Sequence, residues 1–381
     1  MNTSGTKKKI VFIIGTRPEI IKFAPLLLKL KKESTFIVRI CFTGQHKELL
    51  DETAAYFEIN PDVHLSLMSA DQTLSKFVSI ALVAIEKVLI EELPDLVFVQ
   101  GDTSTVLAGA LASFYQKVPV AHLEAGLRSH DLYNPFPEEM NRVQTSKLAC
   151  FHFTPTKTAV LNLSAEGITK NVYNVGNSVI DALKLCLEKI KQEGDFKYKE
   201  KFKKLDFTRK CILVTMHRRE NFGRPMDDIL HALKIFANGY PEVQMVIPVH
   251  PNPNVKSKIT DALLEIKNVF LYAPFTYPEM VYMMNKSFFI VTDSGGVQEE
   301  APTLKKPVLV LRNTTERKES VEAGLAALVG TNKDKIIGYM TRLMEDSEYY
   351  SGFMAVKNPY GDGSTSDKII EILKQELCDK R

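Results

Sequence analysis

Carboxylates and cations gather at the ends of short apolar runs in this chain of 381 residues. Asp102 follows Leu96 to Gly101 in V-Q-G-D-T-S-T, and Glu124 follows Val118 to Leu123 in H-L-E-A-G-L-R. Glu138 stands in P-E-E-M-N-R (137–142), on the same face as Arg142 of a predicted helix that Pro137 opens. Earlier, G-T-R-P-E follows the first apolar run; Pro18 suits the first helical position, which puts Arg17 at a helix N-terminus, where phosphates and carboxylates bind. Lys22, further along that helix, is long enough to reach the same crevice. Acids and cations so placed suit proton transfer beside a phosphorylated substrate. Plainer roles compete: Asp102 as a helix N-cap, Glu124 paired with Arg128, and Glu138 with Arg142 as an exposed ion pair.

The second half repeats the theme. His217, Arg218, Arg219, Glu220 and Asn221 follow an apolar run ending at Thr215, and T-D-S-G-G-V-Q-E-E (292–300) follows another. There Gly295 and Gly296 let the backbone approach a phosphate, Ser294 offers a hydroxyl, and the next helix aims its N–H groups at the anion. Glu300, more than a turn into that helix, is placed to accept from a ribose diol. A glycine turn with an N-cap accounts for the same residues. Arg312, Glu316 and Arg317 follow a further run. His217 and His250 lack the spacing of metal ligands, and no metal is expected. None of the 19 glycines falls in G-x-G-x-x-G or in a P-loop, which argues against a tightly held NAD.

Such residues need a scaffold that ends strands where helices begin. From Lys9 the chain alternates β-rich runs with helical patterns, the signature of a parallel sheet covered on both faces, whose ligands bind beyond the carboxyl ends of the strands. The pattern predicts strands at 10–14, 36–42, 96–100, 118–122 and 171–175, with helices at 18–31 and 105–115. Residues 187–210 are dominated by charge and lack a strand pattern. The alternation then restarts, with strands at 211–215, 244–249, 288–292 and 308–311 and helices at 227–237 and 277–285. Two α/β halves result, with no sequence repeat linking them. A helix-like tail, 367–380, ends the chain.

With 45% hydrophobic and 25% charged residues, the composition is that of a soluble globular protein. A net charge of +3 gives no field that would gather nucleic acid or an anionic membrane. Five scattered cysteines without a C-x-x-C pair fit a reducing, cytoplasmic setting. The apolar stretch 10–14 is too short for a signal peptide, and no run reaches the roughly 18 apolar residues of a membrane span.

Taken in order, G-T-R-P-E-I-I-K (15–22), G-D-T (101–103), H-L-E-A-G-L-R (122–128), P-E-E-M-N-R (137–142), H-R-R-E-N (217–221), P-V-H-P-N-P (248–253), T-D-S-G-G-V-Q-E-E-A-P (292–302) and N-P-Y-G-D-G (358–363) resemble the non-hydrolysing UDP-N-acetylglucosamine (UDP-GlcNAc) 2-epimerases over nearly the whole chain. The resemblance implies the GT-B fold, two Rossmann-like doubly wound domains facing each other across a cleft. Residues 1–183, completed by a C-terminal helix 364–381, would form the sugar wall, and 184–363 the UDP wall. It further implies a cytoplasmic homodimer, without a cofactor, that interconverts UDP-GlcNAc and UDP-N-acetylmannosamine (UDP-ManNAc) for cell-surface polysaccharide synthesis. Asp102, Glu124, Glu138 and His217 are then the catalytic candidates. Arg17, Lys22, Arg142, Ser294, Gly295, Gly296, Glu300 and Arg317 would bind substrate.

Two departures accompany the resemblance. Lys318 follows Arg317 where many members carry proline. Members activated by their own substrate keep a second UDP-GlcNAc site, for which Gln45, His46 and His250 are the candidates here. Glu48 stands in that segment and Asp71 near the place of an expected arginine, so negative charge opposes a second diphosphate.

The implied chemistry is demanding. No carbonyl adjoins C2 of the sugar, so its hydrogen becomes removable only when the C1–O bond breaks as well, which calls for a base at C2 and cations at the departing UDP. Rival readings are a GT-B UDP-sugar glycosyltransferase, a hydrolysing epimerase that releases free N-acetylmannosamine, and a catalytically silent nucleotide-sugar sensor.

Overall fold

The computed structural model describes residues 7–45, 47–69 and 71–379, and the chain divides into two compact units. One takes the chain as far as Ala182 and resumes at Tyr360; the other spans Leu183–Pro359.

The first unit runs through β1 (Lys8–Ile14), α1 (Arg17–Leu30), β2 (Phe36–Phe42), α2 (Lys47–Tyr56), β3 (Val63–His64), α3 (Leu74–Glu92) and β4 (Leu96–Gln100). It continues with α4 (Ser104–Tyr115), β5 (Val120–Leu123), α5 (Glu138–Leu148), β6 (Phe151–Thr154), α6 (Lys157–Ala165) and β7 (Val172–Asn174), and α7 (Ser178–Glu193) crosses the boundary into the second. Its strands pair in parallel in the order β3-β2-β1-β4-β5-β6-β7. β4 and β5 are buried along their whole length, as unbroken apolar runs must be when helices cover both sheet faces. On one face Phe12, Phe98, Phe153 and Tyr173 stack in succession, with ring centroids 5.0, 5.6 and 5.8 Å apart. On the other, Val11, Ile13, Val97 and Val99 pack with the apolar sides of α3 and α4. Thr73 and Thr103 cap those two helices through their hydroxyls.

The second unit adds α8 (Phe196–Lys201), β8 (Cys211–Thr215), α9 (Arg224–Gly239), β9 (Gln244–Pro248), α10 (Pro253–Leu263), β10 (Val269–Tyr272) and α11 (Tyr277–Lys286). After them come β11 (Phe289–Thr292), α12 (Gly295–Glu300), β12 (Val308–Val310), α13 (Lys318–Glu322), β13 (Ala326–Leu328), α14 (Lys333–Glu345) and α15 (Ser347–Gly352). Its parallel sheet has the order β10-β9-β8-β11-β12-β13. Both sheets therefore start in the middle, build to one edge and then switch to the other side of the first strand, and such a switch point opens a crevice at the strands' carboxyl ends. The charge-rich stretch 187–210 holds the end of α7 and α8, and it hides an apolar side: Tyr198 and Phe202 are buried, with Tyr198 stacked on Tyr282 at 4.8 Å.

The chain ends with α16 (Thr365–Lys374), which packs on α1 of the first unit. Ile369, Ile370 and Leu373 are buried, and ion pairs Lys29–Asp367 (2.6 Å) and Lys374–Glu33 (2.7 Å) flank them. The Asp181 carboxylate accepts from the backbone N–H groups of Thr365 and Ser366 at its N-terminus.

Candidate active site

In the first unit, β1, β4 and β5 end side by side, and three connections leave from those ends. Gly15 and Thr16 lead into α1; Gly101, Asp102 and Thr103 lead into α4; Glu124 opens the longer path to α5. The first turn is tight against its neighbours: a Cβ at Gly15 would lie 2.2 Å from Thr105 Oγ1, so only glycine fits. Arg17 begins α1, half-buried, with Pro18 in the first turn.

Lys22 projects from α1 to Glu124, Nζ to Oε1 2.5 Å. Gln100, at the end of β4, donates to the other carboxylate oxygen of Glu124. Both acid and lysine are nearly buried, with side chains 7% and 10% exposed. Glu124 adopts φ +66°, a left-handed conformation that costs a residue with a Cβ of its kind roughly 1–3 kcal/mol. The surrounding bonds hold it there.

Asp102 lies one strand away. Arg142 reaches from α5 to its carboxylate, Nη2 to Oδ2 2.6 Å, and Asn141 Nδ2 donates to its carbonyl (2.9 Å). Three sequence expectations are corrected here. The N-cap of α4 is Thr103, whose hydroxyl accepts from Val106, so Asp102 has no capping duty. Arg142 pairs with Asp102 and, at 3.4 Å, with Glu139 rather than with Glu138, because the buried side of α5 faces the β4 turn and Glu138 lies off it, half-buried at the helix start. Arg128 pairs with Glu166 (2.6 Å) instead of Glu124.

Beneath the site, Glu19 is 1% exposed. Burial pushes its carboxyl up to about 7 despite hydrogen bonds from Gly15, Thr103 and Thr16, and the charge of Asp102 adds to the rise. His122 on β5 donates from Nε2 to the Gly101 carbonyl (2.7 Å). Burial holds His122 down at about 3 and its register partner His152 at about 4.

The second unit assembles its own group. Asp293, fully buried after β11, accepts from the backbone N–H groups of His217 and Arg218 and from Asn221 Nδ2. Its other oxygen lies 3.1 Å from His217 Nδ1. Burial alone would raise this carboxyl; the contact with His217 and the N–H donors outweigh it and hold Asp293 below the usual range. His250, exposed, stacks on His217 with ring centroids 5.9 Å apart. Ser294 occupies the N-cap position of α12 without a capping bond. The Arg317 guanidinium lies over Gly295, where a Cβ would come within 3.4 Å of it. Arg317 is fixed by Glu299 (2.8 Å) and Glu316 (2.9 Å). Burial opposes the charge of Glu316, yet Arg317 and Arg312 bring it down to about 2. Gly296 follows in α12, and Glu300 accepts from the Tyr277 hydroxyl at 2.8 Å.

Of the candidates for a second ligand site, Gln45 accepts from Thr105 Oγ1 (2.8 Å); His46 lies outside the described residues. Among the described residues no group of three histidine, cysteine or acidic side chains could hold a metal ion. Glu19, Gln100 and Asp293 are the residues that sequence reading passes over. Asp293 was readable, standing beside Ser294 in its motif; Glu19 and Gln100 carry no local signal beyond a first-turn acid and a strand end.

Comparison with known proteins puts these residues in context. The family model for UDP-N-acetylglucosamine 2-epimerases matches residues 28–374. The UDP-N-acetylglucosamine 2-epimerase of Campylobacter jejuni is 46% identical over 372 residues, covering 96% of this chain and 97% of that one. Its Escherichia coli K12 counterpart is 45% identical over 369 residues, covering 96% and 98%. The crystal structure of Neisseria meningitidis UDP-GlcNAc 2-epimerase bound to UDP-GlcNAc matches with a TM-score of 0.92 at 45% identity, over 97% of this chain and 100% of that one.

Proposed function

The chain belongs to the UDP-N-acetylglucosamine 2-epimerase family and has its GT-B fold, and on that premise we propose that it interconverts UDP-GlcNAc and UDP-ManNAc without consuming water. The observation that carries the reading is the pair of acids at the ends of adjacent strands, each joined to its own cation: Asp102 to Arg142 and Glu124 to Lys22. One carboxylate takes the C2 proton while the C1–O bond breaks; its electron pair leaves on UDP, and a double bond forms between C1 and C2 of the resulting 2-acetamidoglucal. Re-addition of UDP at C1 and return of a proton to the opposite face of C2 complete the inversion. Asp102, Glu124 and Glu138 are the proposed proton-transfer groups. Arg17 at the N-terminus of α1, with Lys22 and Arg142, favours the developing negative charge.

In the second unit, His217 is proposed as a further catalytic residue, and Ser294, Gly295, Gly296, Glu300 and Arg317 are proposed to serve UDP. Asp293 supports this role for His217 by lying against Nδ1, which leaves Nε2 to meet the ligand. A hydrolysing enzyme or a glycosyltransferase would use the same nucleotide contacts. Two acids fixed beside two cations in the first unit favour proton transfer at the sugar.

The proposed assembly is a cytoplasmic homodimer. Supporting the dimer, α3 turns Ile80, Val83 and Ile90 outward, 39%, 52% and 56% exposed. Ile80 and Val83 border an apolar groove lined also by Val63, Leu65 and Val88. No helix of the described residues is long and apolar enough to cross a membrane.

The test is NMR of the purified protein with UDP-GlcNAc in deuterated water and no added cofactor. UDP-ManNAc carrying deuterium at C2 is expected, because a carboxyl holding the abstracted proton exchanges it with solvent as the site opens. Product without deuterium contradicts the proton-transfer scheme, and free N-acetylmannosamine as the main product identifies the hydrolysing reaction.

A further inference from the structure

We propose that Glu19 is a positioning residue for the epimerisation, its buried carboxylate clamping the turn that carries Arg17 to the turn that carries Asp102. The inference rests on the function proposed above.

Three donors from two turns converge on this one side chain. Gly15 N–H donates to Oε2 at 2.6 Å, and Thr16 Oγ1 donates to Oε1 at 2.9 Å. Thr103 Oγ1, 84 residues along the chain, donates to the same Oε1 at 2.8 Å. Thr16 sits at the N-cap position of α1 yet makes no capping bond; its hydroxyl is turned to the carboxylate instead. Thr103 does both, donating to Glu19 while accepting from Val106 N–H. The Asp102 turn is already held by His122 at Gly101 and by Asn141 and Arg142 at Asp102 itself. Those bonds tie it to β5 and α5. Glu19 supplies the tie to α1.

The donor set fits the ionised acid. A carboxylate accepts at both oxygens, whereas a protonated carboxyl brings a hydrogen into a place that already supplies three. Burial opposes ionisation and raises the group to about 7, so its charge state changes within the neutral range. The charged group that acts on it from another element is Asp102, which disfavours ionisation and is itself paired with Arg142. On its own helix stand Arg17 and Lys22, the latter bonded to Glu124. A turn that needed only stability would avoid burying a charge. Here the charged form holds the geometry.

The experiment measures kcat/KM for UDP-GlcNAc against pH in the full chain, for the wild type, Glu19→Gln and Thr16→Val. The wild type is expected to lose kcat/KM on the acid side with an apparent pKa of about 7. Glu19→Gln cannot titrate, so this limb moves to lower pH, and the plateau falls about 10- to 100-fold because the two turns are no longer held in register. Thr16→Val removes one donor to the ionised form and nothing from the helix cap, so its limb moves to higher pH. If Glu19→Gln does not fold, the shift in Thr16→Val decides the matter. Limbs that stay at the wild-type pH in the variants that fold would overturn the clamp, even if their melting temperatures fall, since a merely structural residue moves stability and not the limb. A wild type that does not convert UDP-GlcNAc at any pH overturns the proposed function, and this inference with it.

Discussion

Asp102, Glu124 and Glu138 differ in how firmly they are held, and that bears on what their amides would do. Asp102 and Glu124 each face a cation in a short contact, while Glu138 stands at the start of α5. Near-isosteric Asp102→Asn, Glu124→Gln and Glu138→Gln remove a proton carrier without emptying a core. Each is expected to lower kcat about 10²–10⁴-fold while the circular dichroism spectrum stays that of the wild type. Wild-type turnover in all three would place the chemistry elsewhere. A second expectation concerns stability. Buried His122 and His152, at about 3 and 4, sit below the ordinary histidine value of 6.5, so between those values the unfolded chain binds their protons first and stability falls as pH drops. Glu19, raised from 4.5 to about 7, works in the opposite sense, since the native state takes up its proton first. From pH 6.5 to 4.5 these groups leave a net loss of one proton's worth, about 1.4 kcal/mol per pH unit. Glu19→Gln should roughly double that slope in urea unfolding measured at several pH values; equal slopes would refute the assignment. The acids at strand ends were legible because an apolar run followed by a carboxylate is a local pattern. Their partners were not: Arg142 and Lys22 meet them across 40 and 102 residues of chain, and i,i+4 spacing suggested Glu138 for Arg142 where the fold supplied Asp102.

Elements were legible in proportion to how one-sided they are. The helix predicted at 18–31 is α1 at Arg17–Leu30, and that at 105–115 is α4 at Ser104–Tyr115. The alternation passes over α3, although it is the longest helix of the first unit, because apolar residues occupy two of its sides. Phe77, Ala81, Ile85 and Val88 face the sheet, whereas Ile80, Val83 and Ile90 face outward. The outward side supports the proposed dimer. Val83→Glu, paired with Ile80→Glu, should convert a dimer to a monomer in light scattering coupled to gel filtration, because charges cannot be desolvated there without partners. A dimer that survives both substitutions lies on a different surface. Residues 187–210 were opaque for the converse reason. Their lysines and glutamates dominate the pattern, while the burial of Tyr198 and Phe202 is achieved by α8 and by packing with α11.

Over the whole molecule, the two halves were legible from the restart of alternation at Cys211, but the matching strand orders of the two sheets were not, since pairing between distant strands leaves no trace in a local pattern. Regulation belongs to this scale. On the proposal that a second UDP-sugar would bind beside Glu48 and Asp71, which are both exposed, their charge would oppose it increasingly as that ligand strips water from them. UDP-ManNAc alone should therefore be converted back without UDP-GlcNAc as activator, and forward kinetics should be hyperbolic. A lag abolished by a trace of UDP-GlcNAc would show the second site to be working. The return of the chain to its first unit at Tyr360 also sets an order of birth. α16, which covers α1, leaves the ribosome only after Leu183–Pro359 has been made. At about 5–20 residues per second, the first unit waits on the order of ten seconds or more for its final helix. During that interval its nascent α1 face is open to chaperones, and the second unit has time to fold before the first is finished.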